Sequence, residues 1–284
     1  MRSTPVIAVF VALLALGGLY MFTLSNNVPP KPKGAAEKPA MAGTHNEAEH
    51  KEADVDSLII ASKKAMPQHA LGELQAVDQQ LRKITDSAQL PPVFTQYAQI
   101  WQEHKQFQLA AHYYSLAAKL ENSEKKLTFA AQLFLDLARN EHSAELQTWE
   151  ANSAAACFEQ TLKINPQNDT ARLGLAECYF GSGEAMKGVV LLKEITTKDP
   201  ENKAANLLLG QQGIISGQFD KAKQRFETVL KNDPKSLEAM LGLAEAYKGL
   251  GEKEKAIELL QNCKKLISNP AFAKDIDEYI KTIK

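Results

Sequence analysis

The chain has 284 residues, of which 44% are hydrophobic, 24% charged and 7% aromatic, and its net charge is −1. That balance suits a folded chain with a core and, with Ala and Leu abundant, favours helix over sheet. No long basic block supplies the electrostatic footprint that nucleic acid requires. Three scattered cysteines, Cys157, Cys178 and Cys263, build neither a disulfide framework nor a zinc site. Each falls in a predicted helix, where a small buried side chain is its expected role.

After a short tail, 1–5, the run Val6 to Leu24 carries no charge. As a helix it would span about 28 Å, close to the thickness of a bilayer's hydrocarbon. A cleaved signal would need a shorter apolar core and a small-x-small site, yet Tyr20, Met21 and Phe22 occupy that end and no Cys follows. Residues 6–24 are therefore expected to be an uncleaved, single-pass signal-anchor. Arg2 before it and Lys31, Lys33 and Lys38 after it do not set the orientation. The layout of short tail and long tether favours a bacterial inner membrane, with the bulk of the chain in the periplasm. Residues 25–54, rich in Pro, Lys, Ala and Glu, offer little to bury and predict an extended, disordered tether. His45 and His50 lie there among acids, but with no Cys and no third His the stretch reads as a solvated linker, and no metal site is expected.

Residues 55–90 read as a pair of capping helices or a degenerate sixth repeat: Val55 to Met66, then a stripe of Leu71, Leu74, Val77, Leu81 and Ile84 after Pro67. In 91–124 the small and aromatic residues Tyr97, Ala98, Trp101, Ala110, Tyr114 and Ala117 fall at helical spacing, with Lys105-Gln106 where a turn is needed. Segment 125–168 is 44 residues long, and its surplus, Asn140 to Asn152, carries Leu146 and Trp149. It predicts a longer second helix projecting beyond its neighbours, with Leu146 and Trp149 as a second binding surface or, equally, with Trp149 folded back onto a neighbouring helix.

The next segments repeat in phase. Pro166, Pro200 and Pro234 stand 34 residues apart. Between them Leu175, Ala176, Tyr179, Gly183, Gly188 and Leu192 are followed by Leu209, Gly210, Gly213, Gly217, Ala222 and Phe226, then by Leu243, Ala244, Tyr247, Gly251, Ala256 and Leu260. Small residues on the first helix permit close approach of the second, Gly183, Gly217 and Gly251 suit a left-handed turn, and each Pro ends a unit. The period and pattern resemble the tetratricopeptide repeat. The resemblance covers about 91–270, as five repeat-like units (91–124, 125–168, 169–202, 203–236, 237–270). Beyond them 271–284 is amphipathic, with Phe272, Ile276, Tyr279 and Ile280 on one face, as a terminal capping helix needs.

The resemblance implies an all-α, right-handed superhelical solenoid of helix pairs preceded by the transmembrane helix. It also implies a groove lined by first helices that accepts a peptide or helix of another protein. The groove positions are then Leu173, Glu177 and Phe180; Leu207, Gln211 and Ile214; Leu241, Glu245 and Lys248. They supply no Lys/Asn/Arg clamp for a C-terminal carboxylate, so a chaperone-tail receptor is not implied. No catalytic, cofactor or metal motif is present: Gly181 to Gly188 only superficially resembles a phosphate loop, and His104 and His112 read as surface or interhelix residues. The expectation is a membrane-anchored, non-enzymatic scaffold for protein partners. A structural subunit bound through its transmembrane helix, and an accessory factor to an envelope maturation enzyme, are the alternatives.

Overall fold

A computed structural model describes residues 53–267 and 269–283. The expected anchor and nearly all of the tether lie outside them. Among the described residues no helix is long and apolar enough to cross a membrane, and no strand occurs. Within the described residues thirteen α-helices follow one another: α1 (Val55–Ala65), α2 (Gln68–Leu81), α3 (Leu90–Glu103), α4 (Phe107–Leu120), α5 (Glu124–Asn140), α6 (Ala144–Ile164), α7 (Asp169–Gly181), α8 (Ala185–Lys198), α9 (Lys203–Ile215), α10 (Phe219–Asn232), α11 (Leu237–Gly249), α12 (Lys253–Leu266) and α13 (Pro270–Ile283). They divide into two compact units, one running to Leu208 and the other from Leu209.

Local chemistry sets the boundaries. Side chains of Asp54, Ser123, Ser143, Asn168 and Ser236 each accept the backbone N–H three residues on, satisfying a donor that the first helical turn leaves free. Gly183, Gly217 and Gly251 turn the chain at positive φ (82°, 69° and 78°). The α3–α4 turn has the same form without glycine: Lys105 holds φ 60°, and the Gln106 N–H reaches back to the Trp101 carbonyl at 2.8 Å. Between pairs, a polar residue inside the next first helix ties down the proline carbonyl. The Asn206 amide donates to Pro200 O at 2.9 Å, and the Arg172 guanidinium donates to Pro166 O.

A second device recurs at the pair turns. The Lys187 ammonium lies over the Tyr179 ring, 5.3 Å from its centroid, and pairs with Glu184. Two repeats later Lys255 lies over Tyr247 at 5.5 Å and pairs with Glu252 at 2.5 Å. In the intervening pair Gly213 stands where the tyrosine would be, and Lys221 instead donates to Gln218 at 2.6 Å.

Packing between successive helix pairs depends on matching a bulky residue to a small one. In the first unit a methyl group on Gly174 would lie 2.2 Å from the Phe158 ring; in the second, one on Gly242 would lie 2.3 Å from the Phe226 ring. The same Phe226 ring would meet a methyl group on Gly210 at 2.7 Å, so it is pressed between α9 and α11. Where the bulky position is Leu260, the following helix presents Ile276, and both belong to one cluster with Leu241, Cys263, Phe272 and Ile280. Large faces small, and medium faces medium. All three cysteines are buried; burial pushes the thiols of Cys178 and Cys263 up, to about 12 and about 11.

Segment 125–168 has the longer second helix expected of it, 21 residues in α6, but α5 lengthens beside it to 17 and the two turn at Glu141–Ser143, so the surplus is shared by a hairpin and Trp149 folds back onto α5. Trp149 is 6% exposed, edge-on to Phe134 with centroids 5.4 Å apart, because its indole buries more area against α5 than a projecting helix could offer.

Size matching predicts coupling. Gly242→Ala and Phe226→Leu are each expected to destabilise by about 1–3 kcal/mol. The double variant should cost less than their sum, because the smaller side chain makes room for the methyl group; urea unfolding of the four proteins reads the cycle. Separately, Lys105→Gly is expected to raise stability by about 0.5–1 kcal/mol by removing a left-handed lysine.

Candidate functional site

The nine groove positions expected from sequence lie at i, i+4 and i+7 of three first helices, so each triplet shares one helix face. On α7, in the first unit, Leu173, Glu177 and Phe180 are all half-buried. Phe180 leans over Gly188 of α8, where an added methyl group would meet its ring at 2.6 Å. Glu177 receives the Arg139 guanidinium from α5, which also holds Asp136 at 2.7 Å. Burial works against the charge of Arg139, but these two carboxylates hold its pKa above the usual guanidinium value.

On α9 the triplet divides. Leu207, the last but one residue of the first unit, is 6% exposed and belongs to the core. In the second unit Gln211 donates to Glu238 of α11 at 3.1 Å, and Ile214 is half-buried. On α11 Leu241 is 7% exposed and packs in the cluster with Leu260 and Ile276. Leu207 and Leu241 therefore give a partner little to touch.

Glu245 and Lys248 are engaged from within the chain. The Tyr279 hydroxyl of α13 donates to Glu245. Lys248 approaches Glu245 at 3.3 Å, bonds the Tyr279 hydroxyl at 3.2 Å, and lies 4.9 Å from the centre of that ring. Arg139, Glu238 and Tyr279 were missed by the sequence reading, though Tyr279 was visible in register: it stands one 34-residue period after Glu245.

Each carboxylate or amide on these faces thus has a lateral partner on another first helix, or on α13 where that helix takes the same role. The side chains that remain apolar and partly open are Leu173, Phe180 and Ile214. Of the second predicted surface, Trp149 is buried and Leu146 half-buried. His112 packs its ring against Tyr113 and Trp149, with centroids 5.3 and 6.3 Å away. His104 lies 5.4 Å from His69. Among the described residues no cluster of His, Cys, Asp and Glu could hold a metal ion.

With this geometry in place, the chain can be set beside known proteins. The tetratricopeptide-repeat family description matches residues 150–211 and 214–265, which carry repeats of that type. The chain is 29% identical over 173 residues, 57% of its length, to the Protein CTR9 homolog of Arabidopsis thaliana; that match spans only 15% of the plant protein. Among solved structures, a tetratricopeptide repeat protein from Parabacteroides merdae superposes with a TM-score of 0.54 at 16% identity, over 69% of this chain and 73% of that one. MamA from Desulfovibrio magneticus gives 0.51 at 16% identity, over 63% of this chain and 95% of that one. The fold is thus all-α, of the tetratricopeptide helical-repeat type, a fold that typically serves as a non-catalytic scaffold for protein partners.

The Tyr279 contact makes its own prediction. Tyr279→Phe is expected to cost about 1 kcal/mol of stability, because it leaves the half-buried Glu245 with one donor fewer. Glu245→Gln, which keeps an acceptor for the hydroxyl, should cost less; chemical denaturation distinguishes them.

Proposed function

We propose that this chain is a membrane-anchored protein-interaction scaffold. In this reading residues 6–24 fix it to a bacterial inner membrane, and the helical repeats hold an extended or helical segment of a partner on the periplasmic side. The observation that carries it is on the first-helix faces. In the first unit Leu173 and Phe180 stay partly open on the face that carries Glu177, and in the second Ile214 does so on the face that carries Gln211; a mixed apolar and polar face of this kind suits one side of an amphipathic segment. Envelope-complex subunits and newly exported clients are the partners that such a tether suits. No catalytic role is proposed, since the repeats occupy the chain from residue 91 to its capping helix and carry no catalytic motif.

A second reading is favoured by a specific observation: Leu207 and Leu241 are buried, and α13 covers Glu245 and Lys248. A face so engaged suits a spacer, with association carried by the anchor helix.

Crosslinking in intact cells, followed by purification and mass spectrometry, separates the two readings. Ile214→Lys combined with Leu173→Lys, in a protein whose helicity is unchanged by circular dichroism, is expected to lose a partner that the native protein enriches. A partner that survives this change but is lost when 6–24 is replaced by an unrelated membrane helix would establish the anchor as the binding element.

A further inference from the structure

Glu150 is buried to 0% exposure in the second turn of α6, where no hydrogen bond of ordinary geometry reaches its carboxylate oxygens and the Gln108 amide is its one weak donor. Removing a charge from water without a counter-charge is among the most costly arrangements in a protein interior, so such a group keeps its proton instead. Burial raises its pKa to about 7, the charge on Glu141 adds to that, and the Gln108 amide offsets part of it.

The surroundings explain why Glu150 is the group that yields. Glu141, in the turn joining α5 to α6, accepts the backbone N–H groups of His142 at 2.7 Å and Ser143 at 2.9 Å. The Ser143 bond leads the effects that hold its carboxyl below the usual range. The two carboxyls of one hairpin tip are thus pushed apart, Glu141 towards ionisation and Glu150 towards keeping its proton. From α4, Gln108 is uncharged and His112, set against the Trp149 ring, is held below its ordinary pKa by burial and by the Lys119 charge, with Asp56 of α1 working against both. From α5, Arg139 is committed to Asp136 and Glu177. No charge from α7 is among the groups acting on Glu150.

We infer that the tip of the α5–α6 hairpin is a pH-gated segment, closed over Trp149 while Glu150 carries its proton and loosened when that carboxyl ionises. An ionised Glu150 faces no cation and is repelled by Glu141, so hydration is its relief. The route to water is short, since His142, Ser143, Ala144 and Glu145 are exposed. Outward movement of the first turns of α6 then separates Trp149 from Phe134. The sign follows from a raised folded-state pKa: the contribution to stability is complete below the ordinary glutamate range and is lost as pH rises to about 7. His112 acts in the opposite sense, because protonation in acid places a charge on a buried ring. The closed tip therefore occupies a window bounded by His112 below and Glu150 above.

The chain has two tryptophans, Trp101 and Trp149. Trp101 is fully buried in a different cluster and serves as an internal control. The full chain is labelled with 5-fluorotryptophan and followed by fluorine NMR, with Trp101→Phe used only to assign the signals. The Trp149 resonance should shift or broaden with a midpoint near neutral pH while that of Trp101 stays fixed. Glu150→Gln should hold Trp149 in its closed position through the same range, and Glu141→Gln should move the native midpoint to lower pH. A Trp149 signal unchanged between about pH 6 and 8.5 overturns the inference, and so does a titration that persists in Glu150→Gln. If that variant fails to fold, an identical midpoint in native and Glu141→Gln protein overturns it equally.

Discussion

The phenylalanine ring pressed on glycine is the contact from which the spacing of the helices follows. Phe226 can lie between α9 and α11 only because Gly210 and Gly242 present bare backbone to it, and Phe158 stands in the same relation to Gly174. A ring carries a large apolar area, and a helix without a side chain at the contact lets that area be covered on both faces. Where leucine takes the bulky place, at Leu260, a full-sized Ile276 comes back opposite it. The spacing of the pairs is thus held while the residues exchange size across the contact.

Once that distance is set, the polar chemistry of the first helices follows. Side chains on neighbouring first helices come within reach of one another, and they bond: Arg139 to Glu177, Gln211 to Glu238, and Tyr279 to Glu245. These links fix rotamers on the very faces that would meet a partner, which favours a preorganised surface over an adaptable one. They also leave Leu173 and Phe180 in the first unit, and Ile214 in the second, as the apolar side chains still partly open on these faces, while charge there is already partly answered from within the chain.

The α5–α6 hairpin departs from this regularity. Its extra length brings Trp149 edge-on to Phe134 within the cluster that also holds Phe158 and Leu175, but the same helix carries Glu150 into the interior with no counter-charge. Buried Arg172 and Asn206, by contrast, are tied to backbone carbonyls, and they strengthen the joints between pairs. Glu150 does the reverse, since its burial is stable only in one protonation state. A repeat array built from near-equivalent units thereby contains one unit whose order depends on solution conditions.

Much of the architecture was legible in the chain itself. The 34-residue period, the glycines at 183, 217 and 251 and the closing prolines are local features, because a turn or a helix end depends on the backbone of a few residues. What tertiary structure decided was everything that depends on which face meets which neighbour. Leu207 and Ile214 sit on one stripe of α9, yet one is core and the other partly open, a difference that periodicity alone does not carry. Trp149 has the composition of an exposed anchor, and became core only because α5 lengthened beside it. Gly174 and Gly242 read as ordinary helical residues until the Phe158 and Phe226 rings are placed on them. Local backbone preference is written in sequence. Burial and pairing are properties of two surfaces together, so they were settled only when the helices packed.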